Sequence, residues 1–449
     1  MTFSPFLADF AQDVHGRARR RIACRFLPFI FLLYFMASID RFNVSFAALR
    51  MKDDLGFSDS IYGLGASLFF VTYVLFEIPG AIVAARWSVR KWIARIMLSW
   101  GGITILTAFI HNARESYIAR LLLGAAEASF FPAIIIFLTR WFTVRDRTRA
   151  IAAFYIGANV SMFVGSAVAG WLLPIHWMGL SGWRWLFIVE GLPAVVLGGI
   201  TLFYLADYPA EAGWLPEAER AAIAIALACE SAAKVKQGSL KFRHFWKDSR
   251  LLLIATGYFF YILALVTNSL WIPTFLHRIS NLPPATVARF VMLPAAAGIA
   301  GVLLNSWSAD RSGEHKWHAV IPMFVGGCCY LAIGAFTGHF AVALLLFALF
   351  YGLSASALPS IWAMSTIVLS ETTAAAAFGL INSIGQTGGF VGPLIVGFLN
   401  DKTHSIHWSL GFISSSMLAA AFTLSFLRHR HRAPSREVRK SSSITGLVG

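Results

Sequence analysis

The sequence predicts an all-α integral membrane protein, with twelve transmembrane helices arranged as two pseudo-symmetric six-helix bundles. Three observations predict it. Apolar runs of spanning length recur from end to end; Lys and Arg gather at one set of run ends; and six runs precede, and six follow, a single long polar connection. Composition agrees: only 13% of the 449 residues are charged and 57% are hydrophobic, with a mean hydropathy of +0.67, whereas an ordinary soluble domain carries about 25% charged residues.

Windows of about 19 residues place the spans near 26–49, 60–84, 92–110, 116–140, 148–173, 184–206, 251–276, 286–308, 317–337, 340–366, 374–399 and 406–427. Charge and turn chemistry separate them, as in Lys52-Asp53-Asp54, Arg145-Asp146-Arg147 and Asn400-Asp401-Lys402. The basic residues concentrate before span one, in every second connection and after span twelve, which predicts both termini in the cytoplasm. Residues 1–25 read as a polar, basic tail, and the apolar run behind them is too long for a signal-peptide core. Residues 26–206 form the first bundle and 251–427 the second. The connection 207–250 holds Pro209, Pro216, an Ala-rich helical stretch and a basic end (Lys234, Lys236, Lys241, Arg243), so it reads as a linker at the inner surface. The tail 428–449 is basic and then Ser-rich.

The halves repeat. Arg86, Arg90, Lys91 and Trp92 between spans two and three recur as Arg311, His315, Lys316 and Trp317 between spans eight and nine, at one constant offset of half the chain. Transport proteins commonly show such duplication.

The net charge of +15 does not indicate nucleic-acid binding, because the cations punctuate span ends instead of covering a soluble face. Cys24, Cys229, Cys328 and Cys329 show neither metal spacing nor a disulfide framework. The histidines sit mostly in loops without an HExxH-type set, so an integral-membrane enzyme is not expected. A membrane sensor would add a signalling domain, and none is read here.

Chemistry concentrates in spans one and four. Asp40 and Arg41 lie mid-span, where a charge costs at least roughly 2.5 to 3.5 kcal/mol and normally faces a wet cavity or a partner. Tyr34, Ser38, Arg41 and Ser45 follow i, i+4, i+7, i+11 on one helical stripe, and Asp40 and Asn43 share a neighbouring one. In span four Arg120, Gly124 and Glu127 also share a face. Asp40 and Glu127 lie at similar depth, so an Arg beside two carboxylates makes a proton-responsive cluster: an anion placed on the Arg weakens its hold on the carboxylate and favours proton uptake. Two structural alternatives stand beside this: Asp40 simply neutralising Arg41, and a permanent Arg120–Glu127 pair. Tyr73 faces the cavity, and Glu77 beside Pro79 is expected to pair with loop cations. In the second half neutral groups replace charges. Asn382 and Gln386 share a face of span eleven, and Trp362 follows Pro359 in span ten; these groups suit either a polar substrate or helix–helix hydrogen bonding.

These residues resemble the anion:cation symporter family of the major facilitator superfamily. The resemblance is carried by Asp40-Arg41-Phe42-Asn43-Val44, Phe76-Glu77-Ile78-Pro79, RLLLGAAEASFFPA in span four, GWRWLFIVEGLPA (182–194) and Ala309-Asp310-Arg311-Ser312-Gly313-Glu314. It covers essentially residues 20–430, and the span-four motif is its most specific part. It implies proton-driven import, by alternating access, of a small organic carboxylate such as a sugar acid, a tartrate-like dicarboxylate or an aromatic acid. It gives Arg41 the substrate carboxylate, and Asp40, Glu127 and Arg120 the proton. Tyr73, Trp362 and Asn382 match positions that line the pocket in relatives; Tyr34 and Gln386 join them on helical spacing alone, and Arg86, Arg90, Asp310 and Arg311 would form the loop gates. The first-half loop departs from the superfamily motif, with Ala85 and Ser88 in place of Asp and Gly, and span four has Ser129 and Ala133 where relatives often carry Gly. Protons are the expected coupling ion, without a cofactor, and a monomer in a bacterial-type inner membrane is expected. A sodium-coupled anion carrier and an exporter of the same fold are the nearest alternatives.

Overall fold

Apolar runs of this length have one way to satisfy their backbone in lipid, the helix, and every predicted span is helical in the computed structural model, which describes residues 5–235, 248–368 and 371–427. Lys236, Lys241 and Arg243 of the connection and the tail from Arg428 lie outside the described residues. Among the described residues nine helical stretches are long and apolar enough to cross a membrane on length and composition alone. The remaining predicted spans, three, five and eleven, fall on the helices Val89–Thr107, Val144–Leu172 and Glu371–Thr403. One element departs from an all-helical reading, a two-residue antiparallel hairpin pairing His176–Trp177 with Leu180–Ser181.

The N-terminal segment is not a free tail. Span one belongs to a 51-residue helix, Pro5–Leu55. Val14, Ala18, Ile22 and Phe26, spaced by four, form a buried stripe, and the cations between them find partners. Arg19 bonds Asp146 through Nε at 2.5 Å, and the Arg25 guanidinium lies 4.5 Å from the Tyr204 ring and 4.7 Å from that of Trp214.

Span four is not one helix. It breaks into Ala113–Glu127 and Phe130–Trp141, with Ser129 left-handed at φ 68°. Pro132 supplies the cause: it has no N–H for the carbonyl of Ala128, and the Ser129 hydroxyl takes that carbonyl instead. Trp92 Nε1 donates to the same hydroxyl at 3.0 Å.

Small residues set the helix spacing. A Cβ on Gly124 would lie 2.1 Å from the Phe69 carbonyl oxygen, so spans two and four are in backbone contact there. The halves meet along spans two and eleven, one and seven, and five and eight. On the side away from the chain ends Tyr62 donates to the Leu270 carbonyl at 2.6 Å and Arg278 bonds Asp59 at 2.6 Å. There too the Asp401 carboxylate accepts the backbone N–H groups of Asp59 and Ser60 at 3.0 and 2.8 Å. Asp401 thus caps the N-terminus of span two from the opposite half, where the helix dipole favours an anion.

Candidate functional site

The ionised side chains of spans one and four converge. Arg41 pairs with Glu127, whose side chain is wholly buried while that of Arg41 stays 21% exposed. The Arg41 guanidinium lies 5.1 Å from the Tyr73 ring and 5.6 Å from the Phe69 ring, and Arg120 approaches the same Phe69 at 5.2 Å. Tyr34 is within interaction range of both Arg41 and Glu127. Glu127 therefore pairs across helices with Arg41, and not with Arg120 two turns away on its own helix. Arg120 instead lies in range of Asp40, and its Nε and Nη2 make no hydrogen bond among the described residues. Asp40 Oδ1 accepts from Asn43 Nδ2 at 3.0 Å, and Oδ2 has no partner there. One half of the molecule thus assembles Tyr34, Asp40, Arg41, Tyr73, Arg120 and Glu127. Its partly exposed charge is a cation, Arg41, and the carboxylate paired with it is wholly buried.

The reading of Glu77 needs correction. It meets no loop cation: it is buried and accepts from Asn382 Nδ2 at 2.8 Å and from the Ser383 hydroxyl at 3.3 Å. Glu77 stands one turn past Tyr73 on a helix that faces span eleven, so its nearest donors belong to the other half. Asn382 is consequently engaged between the halves. Gln386, one turn on, is half-buried, and Trp362 tilts against Tyr258 with ring centroids 5.1 Å apart. Among the described residues no group of His, Cys, Asp and Glu is clustered as a metal site would require.

The model of the Major Facilitator Superfamily matches residues 30–393. The chain belongs to that superfamily. It is a transporter rather than an enzyme, a multi-pass membrane protein that carries a small molecule. It is 40% identical over 416 residues to "Putative tartrate transporter" of Agrobacterium vitis, covering 91% of this chain and 94% of that protein. It is 34% identical to "Quinolone resistance transporter" of Acinetobacter baumannii, covering 91% and 94%. A crystal structure of a D-xylose–proton symporter superposes with a TM-score of 0.73 over 90% of this chain and 98% of that one, at 12% identity, a likeness of fold.

The superfamily's loop motifs look different in the two halves. In the first, Arg86 is exposed while Arg90 is anchored, its amide donating to Asp207 Oδ1 at 3.0 Å and its guanidinium to the Leu205 carbonyl at 3.5 Å. Arg140 reaches Asp207 at 3.4 Å and the Ala85 carbonyl at 3.1 Å, and the Ser88 hydroxyl also bonds Asp207. Asp207, at the end of span six, thus supplies the acid that position 85 lacks; the sequence reading missed it, although it is the lone acid beside that span end. In the second half Asp310 and Arg311 are exposed, and Arg311 lies 5.6 Å from the Trp307 ring. Sequence reasoning also passed over Glu190 of span six, a buried carboxylate in range of Asp40 and Asn43. The rule that an intramembrane ion is functional by default would have found it.

Proposed function

We propose that this transporter imports a small organic carboxylate together with protons, by alternating access across an inner membrane with both chain ends in the cytoplasm. The observation that carries the reading is the Arg41–Glu127 pair, one member reachable and the other wholly buried. A substrate carboxylate that takes Arg41 leaves Glu127 in a dry site without its cation. An isolated buried carboxylate is costly, so it takes a proton. Anion binding and proton binding then favour each other, which is symport. Tyr34 and Tyr73 flank the guanidinium and suit the rest of the anion, and Asn382, Gln386 and Trp362 supply the opposite wall. The contacts of Tyr62, Asp59, Arg278 and Asp401 serve as the outer gate. The relative named for tartrate transport supports a carboxylate cargo; the relative named for quinolone resistance favours an exporter as the second reading.

The test is uptake by proteoliposomes of a carboxylate panel that includes tartrate. Uptake should follow an imposed proton gradient and ignore a sodium gradient; the reverse pattern overturns the coupling. Glu127→Gln should keep counterflow exchange and lose gradient-driven accumulation, whereas equal loss of both assigns Glu127 to structure.

A further inference from the structure

The charge cluster has more acids than bases. Glu190 of span six is buried, and so are Asp40, Arg120 and Glu127. Its position is set by a close helix crossing: a Cβ on the next residue, Gly191, would lie 2.9 Å from both the Gly101 carbonyl oxygen and the Ile105 side chain of span three. That crossing brings Glu190 level with Thr104. Asp40 is in range of Thr104, and Asn43 is in range of Glu190 as well as bonded to Asp40. Spans one, three and six therefore meet at Asp40, Asn43, Thr104 and Glu190. Four atoms there (Asp40 Oδ2, Asn43 Oδ1, Thr104 Oγ1 and Glu190 Oε2) are buried with no hydrogen-bond partner among the described residues. All four are oxygens, and two belong to carboxylates.

The charges decide what such a place takes up. Glu127 has Arg41 as its partner, and Asp40 has Arg120 in range. The groups facing Glu190 are Asp40 and Asn43, and among the described residues it makes no ion pair. Three carboxylates against two guanidiniums leave one uncompensated negative charge, which a low-dielectric site does not tolerate. One proton removes that charge. It also turns an acceptor-only carboxylate into a donor, adding a second O–H to that of the Thr104 hydroxyl, which lies in range of Asp40.

We infer that Asp40 and Glu190, joined through Asn43, hold one proton between them in the substrate-free transporter, with Glu190 a third member of the coupling centre. The proton forms an O–H bond on one carboxyl and leaves it for the other, with no other bond changed. The inference rests on the proton-coupled reading and specifies where the proton waits when no anion is bound. Arg120, in range of both Asp40 and Glu127, links this store to the Arg41 pair.

Isotope-edited infrared spectroscopy of the substrate-free protein in nanodiscs tests it. The wild type should show a protonated-carboxyl band that shifts when Asp or Glu side chains are labelled with carbon-13. The band should survive Glu77→Gln, remain in Glu190→Asp, and be lost in Glu190→Gln. Glu190→Gln should also lose proton-driven accumulation while keeping counterflow exchange. A wild type without the band, or a Glu190→Gln variant that retains it, overturns the inference. Absence of the band in the labelled wild type overturns the inference by itself, and Glu190→Asp carries the assignment if Glu190→Gln fails to fold. Proton-driven uptake with the band unchanged in Glu190→Gln sinks the proton store alone. Sodium-driven uptake with the Glu190 band present sinks the proton-coupled reading and leaves the store standing.

Discussion

Asp401→Asn should loosen the outer closure. The carboxylate accepts two backbone N–H groups of the other half at 3.0 and 2.8 Å, and it does so at a helix N-terminus. A hydrogen bond to a charged group contributes about 1.5–3 kcal/mol and a neutral one about 0.5–1.5; the helix dipole adds about 0.3–1. Asparagine keeps one acceptor oxygen and loses the charge. For a partly exposed site the low end applies, about 2 kcal/mol, or about 30-fold in the ratio of closed to open outer gates. The ratio can be read by electron–electron resonance between nitroxides at Met178 and Trp408, both exposed, with the four native cysteines replaced. A change of less than about threefold would refute the assignment of Asp401 to the closure. The pH dependence follows with a definite sign. Partial burial pushes the Asp401 carboxyl up, but the hydrogen bonds from Ser60, Ser58 and Asp59 outweigh it and hold the group below the ordinary carboxylate range. A carboxylate lowered in the closed form stabilises that form above the open-form value, and loses the effect as pH falls through the closed-form value. The contribution of Asp401 to closure should therefore stay flat near neutrality and fall only below about pH 4, so a pH response of transport near neutrality does not originate at Asp401.

Arg41→Lys should cost at least tenfold in carboxylate affinity, since a point charge cannot replace a planar fork; calorimetric titration at constant pH measures it. Glu77→Ala should weaken the inter-half contact by about 1–3 kcal/mol, because it strands the donors of Asn382 and Ser383, and thermal unfolding with and without substrate reports it. Gly124→Ala should destabilise the first half by about 1–3 kcal/mol, as its Cβ would meet the Phe69 carbonyl oxygen at 2.1 Å; a lowered Tm with substrate selectivity unchanged is the expected result.

The helices and the intramembrane charges were legible because both are local. A run of spanning length must be helical in lipid, and a charge within one announces itself in the residue order, as Asp40, Arg41, Arg120 and Glu127 do. The break at Ser129 was legible in principle too, since Pro132 removes one N–H at a known place. The long helix over residues 5–25 was hidden by its cations, whose partners Asp146, Tyr204 and Trp214 are remote in sequence. Pairing was decided only by the tertiary structure. Arg120 and Glu127 share a face, but seven residues put them about 10 Å apart along their helix, whereas the crossing with span one sets Arg41 directly against Glu127. Glu77 likewise looked outward beside Pro79 until span eleven came to face it. Periodicity gives the side of a helix on which a charge lies; the partner depends on which neighbouring helix faces that side at the same depth, and that depends on the packing of the whole bundle.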